Sequence, residues 1–106
     1  MRALAGMRHT EISIRANADD EQIESAIDAA IRATGLSIAM RGTLKKHPGC
    51  IHWHVKNGRQ SGTLEITFWP SQHRAWFTVQ NVRTATWIDE QLKALSRQIS
   101  RQLRKD

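Results

Sequence analysis

The chain has a single cysteine, Cys50, which excludes an internal disulfide framework and points to a reducing, cytoplasmic setting. No apolar run approaches the ~20 residues that a membrane-spanning helix requires. The opening MRALAGMRHT holds only the brief ALAGM, which is expected to be too short for the apolar region of a secretory signal. Tyrosine is absent and Phe occurs twice, against 4 Trp, so the positions of the indoles become informative. Acid is in short supply as well. Asp and Glu number 10 against 16 Lys and Arg, a formal net charge of +6. Such a balance favours polyanions, nucleic acid before anionic membrane, although it also serves plain solubility. The chain has no Gly-rich phosphate loop, no nucleophile elbow and no Cys/His zinc-finger spacing, so no motif names an enzyme class.

What is present is regular alternation. A length of 106 residues suits one domain with one core. Residues 1–8 are expected to form a disordered N-terminal segment, and 9–106 a single α+β domain. His9 to Ala16 alternates as a half-buried strand, with Ile12, Ile14 and Ala16 on one side. Asn17 is then placed to cap a helix from about Ala18 to Thr34, whose stripe is Ile23, Ala26, Ile27, Ala30 and Ile31 and whose stop is Gly35. Four further strands are expected over 36–45, 50–56, 63–69 and 74–80, separated by the turns HPGC, NGRQSG and PSQH. Thr84 or Thr86 opens a last helix with the stripe Ile88, Leu92, Leu95, Ile99 and Leu103. The order is β-α-β-β-β-β-α. It implies an antiparallel four-stranded meander plus an N-terminal strand, with both helices on the oily face of the sheet.

The apolar pattern also sets register, because a one-residue slip would turn every side chain over. A long loop at NGRQSG pairs Val55 with Leu64, Trp53 with Ile66 and Ile51 with Phe68, and is preferred to a tight Asn57-Gly58 turn that would spoil those pairs. Leu64, Ile66 and Phe68 then meet Val79, Phe77 and Ala75, while Gly42 faces Trp53 and leaves room for its indole. On the helix-free face this places Trp69 diagonal to Trp76, His54 opposite Glu65, and His52 one row away. Arg41, Lys45, Lys56 and Arg74 surround them. His9, His47 and His73 fall in turns or at the terminus and are expected to be solvated.

That face ranks the functions. Two indoles ringed by cations can stack unpaired bases while Lys and Arg meet phosphates. The first expectation is therefore a non-enzymatic protein that binds single-stranded RNA or DNA through Trp69, Trp76, Arg41, Lys45, Lys56, Arg74, His52 and His54. The same exposed Trp and Arg also fit a protein partner or a homodimer. A third reading is a metal site. His52-x-His54 points both imidazoles one way and Glu65 supplies a carboxylate, the donor set of a hydrolase-like zinc centre.

Overall fold

The computed structural model describes residues 6–44 and 46–104, with only the backbone of residue 44. The elements run β1 (Met7–Ile12), α1 (Asp20–Ala33), β2 (Ser37–Leu44), β3 (His47–Lys56), β4 (Leu64–Trp69), β5 (Arg74–Gln80) and α2 (Thr86–Arg104). The five strands form one sheet, ordered β1-β5-β4-β3-β2, in which every neighbouring pair is antiparallel. This is the expected α+β meander, with the first strand added beside β5. Both helices pack on one face, where Trp53, Val55, Leu64, Ile66, Phe68 and Phe77 join the stripes of α1 and α2 in a single core.

Local chemistry explains the helix ends. A turn closed by the Ala18 N–H on the Arg15 carbonyl keeps residues 16–18 outside α1, so the cap is Asp19 and not Asn17. The Asp19 carboxylate accepts from the Gln22 N–H at 2.8 Å, and the Gln22 side chain accepts from the Asp19 N–H at 2.9 Å, a capping box. At the other end Leu36 N–H donates to the Ile31 carbonyl and Gly35 N–H to that of Arg32, with Gly35 at φ 80°. That left-handed stop is one glycine adopts without steric cost. α2 begins at Thr86 itself, and its stripe Ile88, Leu95, Ile99 and Leu103 is buried as expected.

Three sequence expectations need correcting. β1 starts at Met7, so Met7 and Arg8 pair with Gln80 and Val79 and do not belong to a frayed end; residues 1–5 lie outside the described residues. HPGC is not a turn. His47, Pro48 and Gly49 extend β3, with Gly49 at φ 85°. Most consequential, β2 shifts register between Ile38 and Met40. The extra residue turns the strand over, so Arg41 lies opposite Trp53 on the helix side and Gly42 lies opposite His52. Gly42 has open space where a side chain would sit, so it makes no room for an indole. Arg41 is drawn inward by charge: it pairs with Glu24 and Asp28 of α1 and lies over the Trp53 ring, 5.6 Å from its centroid.

The long β3–β4 loop is docked. Thr63 N–H donates to the Arg83 carbonyl at 2.9 Å, and the buried Trp87 indole donates to the Ser61 carbonyl at 2.8 Å. Gly62 closes this contact at φ 101°, where an added methyl would lie 2.7 Å from the Ala85 Cβ and 3.2 Å from a backbone oxygen. Gly62→Ala is expected to destabilise the fold by about 1–3 kcal/mol, read as a lower urea midpoint with an unchanged slope.

Candidate functional site

Parity along the strands assembles the helix-free face. Residues 52 and 54 of β3, 65, 67 and 69 of β4, and 74, 76, 78 and 80 of β5 alternate with core residues and emerge together, with His54 opposite Glu65 and Thr67 opposite Trp76. The arriving β1 adds His9 opposite Thr78 and Glu11 opposite Trp76. This layer is densely packed. Glu65, Thr67, Trp76 and Thr78 are all buried, although no helix covers them. Side chains on neighbouring strands shield one another.

One half of the layer is an aromatic cluster. Trp69 and Trp76 meet edge to face at 6.4 Å and 75°. His47 lies 4.5 Å from Trp69 and 6.0 Å from Trp76, His9 stacks on Trp76 at 5.5 Å, and the Arg74 guanidinium is 4.9 Å from the Trp76 centroid. Trp76 is consequently only 8% exposed, while Trp69 is half-buried. His9 is exposed, as expected, while it stacks on Trp76; His47, expected in solvent, is half-buried against both indoles. Between β4 and β5 the chain makes a 3-10 turn, Pro70–Gln72, which His73 caps in a left-handed conformation, and the His73 Nε2 lies 2.9 Å from the Arg15 carbonyl oxygen.

The cations expected around the indoles are largely engaged elsewhere. Arg74 donates to Glu11 at 2.5 and 3.3 Å. Those two bonds, with another from His9, hold the Glu11 carboxyl below its ordinary range. Arg41 serves the helix layer. Lys56 donates to the Gly62 carbonyl at 2.5 Å and to the Thr63 hydroxyl at 3.3 Å, clamping the loop. Lys45 lies outside the described residues. Of the candidate nucleic-acid set, the described residues Trp69, Trp76 and Arg74 are therefore brought together, with His52 and His54 on the same face.

The other half holds the imidazoles. His52, His54 and Glu65 each present a donor atom, and these atoms lie within 4.8 Å of one another. The His52 Nε2 is 3.1 Å from Glu65 Oε1, and its Nδ1 is 2.8 Å from the Thr67 hydroxyl. An ionised carboxylate can only accept, so Nε2–H donates to Glu65 and Nδ1 of the neutral ring accepts from Thr67. Burial lowers the His52 pKa; Glu65 opposes the shift and His54 reinforces it. Glu65 Oε2 accepts from Gln80 at 2.8 Å and has the Arg83 guanidinium at 3.8 Å. The His52 and His54 rings meet at 5.1 Å and 72°. His52, Glu65, Thr67 and Gln80 form the floor of a concavity of about 420 Å³, walled by Met7, Lys46, His47, Trp76 and Thr78, and His54 stands outside its lining. Thr67 and Gln80 share the outward parity, but their roles as anchors depend on geometry that alternation does not encode. Cys50 is buried, and burial raises its thiol pKa, as befits an inert side chain.

No protein family, curated protein or solved structure matches this chain. The fold and face define its class: a small α+β protein with an antiparallel sheet whose uncovered side encloses a His-His-Glu cluster. Among the described residues, no helix is long and apolar enough to cross a membrane.

Trp76→Ala is expected to destabilise the protein by about 3–5 kcal/mol, the cost of truncating a buried aromatic, measured by denaturant titration. In metal-free protein, His52 should titrate below the ordinary histidine value near 6.5, and Glu65→Gln should lower it further. NMR of the ring protons reads both shifts. The sign for stability follows. The neutral ring's contribution is complete above about pH 6.5 and declines as the pH falls toward the lowered folded value, because unfolding then takes up a proton.

Proposed function

We propose that this protein binds a divalent late first-row metal ion, zinc by preference, through His52, His54 and Glu65, with an open coordination position facing the concavity. The observation that carries the reading is the convergence of three donors from adjacent strands within 4.8 Å, two of which, His52 and Glu65, line that concavity. Bond lengths near 2.1 Å put donors on one tetrahedral ion about 3.4 Å apart. The widest donor separation therefore has to close by about 1.4 Å, and rotation of the half-buried His54 side chain would supply that movement. Each fixed donor is already held from behind. With an ion on Nε2, His52 takes the other tautomer and its Nδ1–H donates to the Thr67 hydroxyl, while Gln80 and Arg83 engage one oxygen of Glu65 and leave the other.

Two imidazoles and one carboxylate suit zinc better than calcium or magnesium, which prefer all-oxygen sites. Three protein ligands leave room for water. A water bound there would approach a pKa of about 7 and become a nucleophile at neutral pH, the basis of hydrolytic chemistry. The Trp76 and Thr78 wall would bound a small substrate. The base-stacking reading has less behind it, since Trp76 is packed among His9, His47, Trp69 and Arg74.

Titration of chelator-treated protein with zinc should give one equivalent by calorimetry, and cobalt should give the visible bands of a tetrahedral site. His52→Ala and Glu65→Ala should abolish stoichiometric binding, whereas Thr67→Val should weaken it roughly 10–100-fold. A protein that takes up no metal, and whose melting temperature is indifferent to zinc and chelator alike, would sink the proposal.

A further inference from the structure

A second site lies on the opposite side of the molecule, on the helix layer. Two adjoining surface depressions, of about 290 and 370 Å³, share Ser100 and Arg104. Together they are lined by Arg15, Arg97, Arg101 and Arg104, by Ser13, Ser96 and Ser100, and by the apolar Ile14 and Leu103, and among the described residues no acid lines either one. Among the described residues, Arg97, Arg101 and Arg104 pair with no carboxylate. The acids of α2, Asp89 and Glu90, sit at its other end, where Asp89 is bound to Arg8. Lys93, one turn before Arg97, is exposed on the same helix.

From this we infer that the groove along the C-terminal half of α2 binds the phosphate backbone of nucleic acid. Helix polarity explains why basic residues are tolerated here, but the carbonyl end carries only about half a negative charge. The groove concentrates several whole positive charges, far more than that end needs. At 1.5 Å rise per residue, Arg97 to Arg104 spans roughly 10 Å, or about three phosphates at 3.4 Å per nucleotide along one strand. The guanidinium groups of Arg97, Arg101 and Arg104, with the neighbouring Ser hydroxyls, suit phosphate oxygens. No aromatic ring lines the groove, so recognition involves no base stacking and is independent of sequence. Duplex should thus bind at least as well as single strands, the reverse of what an indole platform would give. A membrane surface fits less well, since the apolar stripe of α2 is buried against the core and leaves nothing to insert.

The test uses the full chain with a fluorescently labelled 20-base-pair duplex, a matching single strand and vesicles containing phosphatidylserine. Three phosphate contacts predict a slope of log affinity against log salt near −2.7, a loss of roughly 40-fold between 50 and 200 mM salt. The triple change R97E/R101E/R104E should abolish duplex binding. R97Q/R101Q/R104Q should weaken it more than tenfold with an unchanged thermal melt, which secures the result if charge reversal unfolds the helix. His52→Ala should bind duplex like the parent, keeping this site separate from the metal centre. Duplex binding that survives the glutamine triple, or that shows no salt dependence, overturns the inference. So does a parent protein that binds vesicles but not duplex, or single strand far more tightly than duplex.

Discussion

The pairing of β3, β4 and β5 is the constraint from which the rest of the structure follows. Trp53 against Ile66, Val55 against Leu64, Ile66 against Phe77 and Phe68 against Ala75 form a continuous apolar sheet beneath both helices. Each large side chain in it contributes about 1.5–3 kcal/mol of burial. A slip of one residue would expose all of them at once and bury the alternate set. His52, Glu65, Thr67 and Trp76 face outward because their neighbours in sequence are held inward. The candidate functional face is the other side of the core's register.

That face has its own energetics. A carboxylate as enclosed as Glu65 is costly without compensation. The structure supplies it with the His52 N–H and the Gln80 amide, and sets the Arg83 guanidinium nearby. His52 is likewise satisfied at both ring nitrogens. A sheet surface that merely faced water would not need its charges enclosed and individually oriented. The same enclosure leaves His54, half-buried and less constrained, as the member of the cluster that can adjust. The neighbouring indoles meanwhile make a stiff wall by packing on His9, His47 and each other.

Much of this was legible in the chain because burial on a sheet has period two and burial on a helix about 3.6. The stripes of α1 and α2, the long loop after Lys56, the diagonal indoles and the His54–Glu65 pair all follow from those periods. Arg41 did not follow, because one bulge residue in β2 reverses parity and leaves no trace in an alternating pattern. Its true position depends on Glu24 and Asp28, which belong to a different element. His47 was misplaced because Pro48 and Gly49 resemble a turn, yet β3 runs straight through them. Asp19 displaced Asn17 as the cap of α1 because a turn at Arg15 delays the helix.

The sequence by itself determined the element order, the core and the parity that puts two imidazoles, a carboxylate and two indoles on one side of the sheet. Those properties are periodic and local, and hydrophobic burial enforces them. Only the tertiary structure decided that β1 lies beside β5, that Trp76 is enclosed, that Arg41 faces the helices, and that Glu65 is gripped by Gln80 as well as His52. It also gathered Arg15 from one loop with Arg97, Arg101 and Arg104 from a distant helix. These are relations between residues far apart in the chain, and they arise where strands bulge, edges meet and charges find partners across elements, which no repeat along the sequence records.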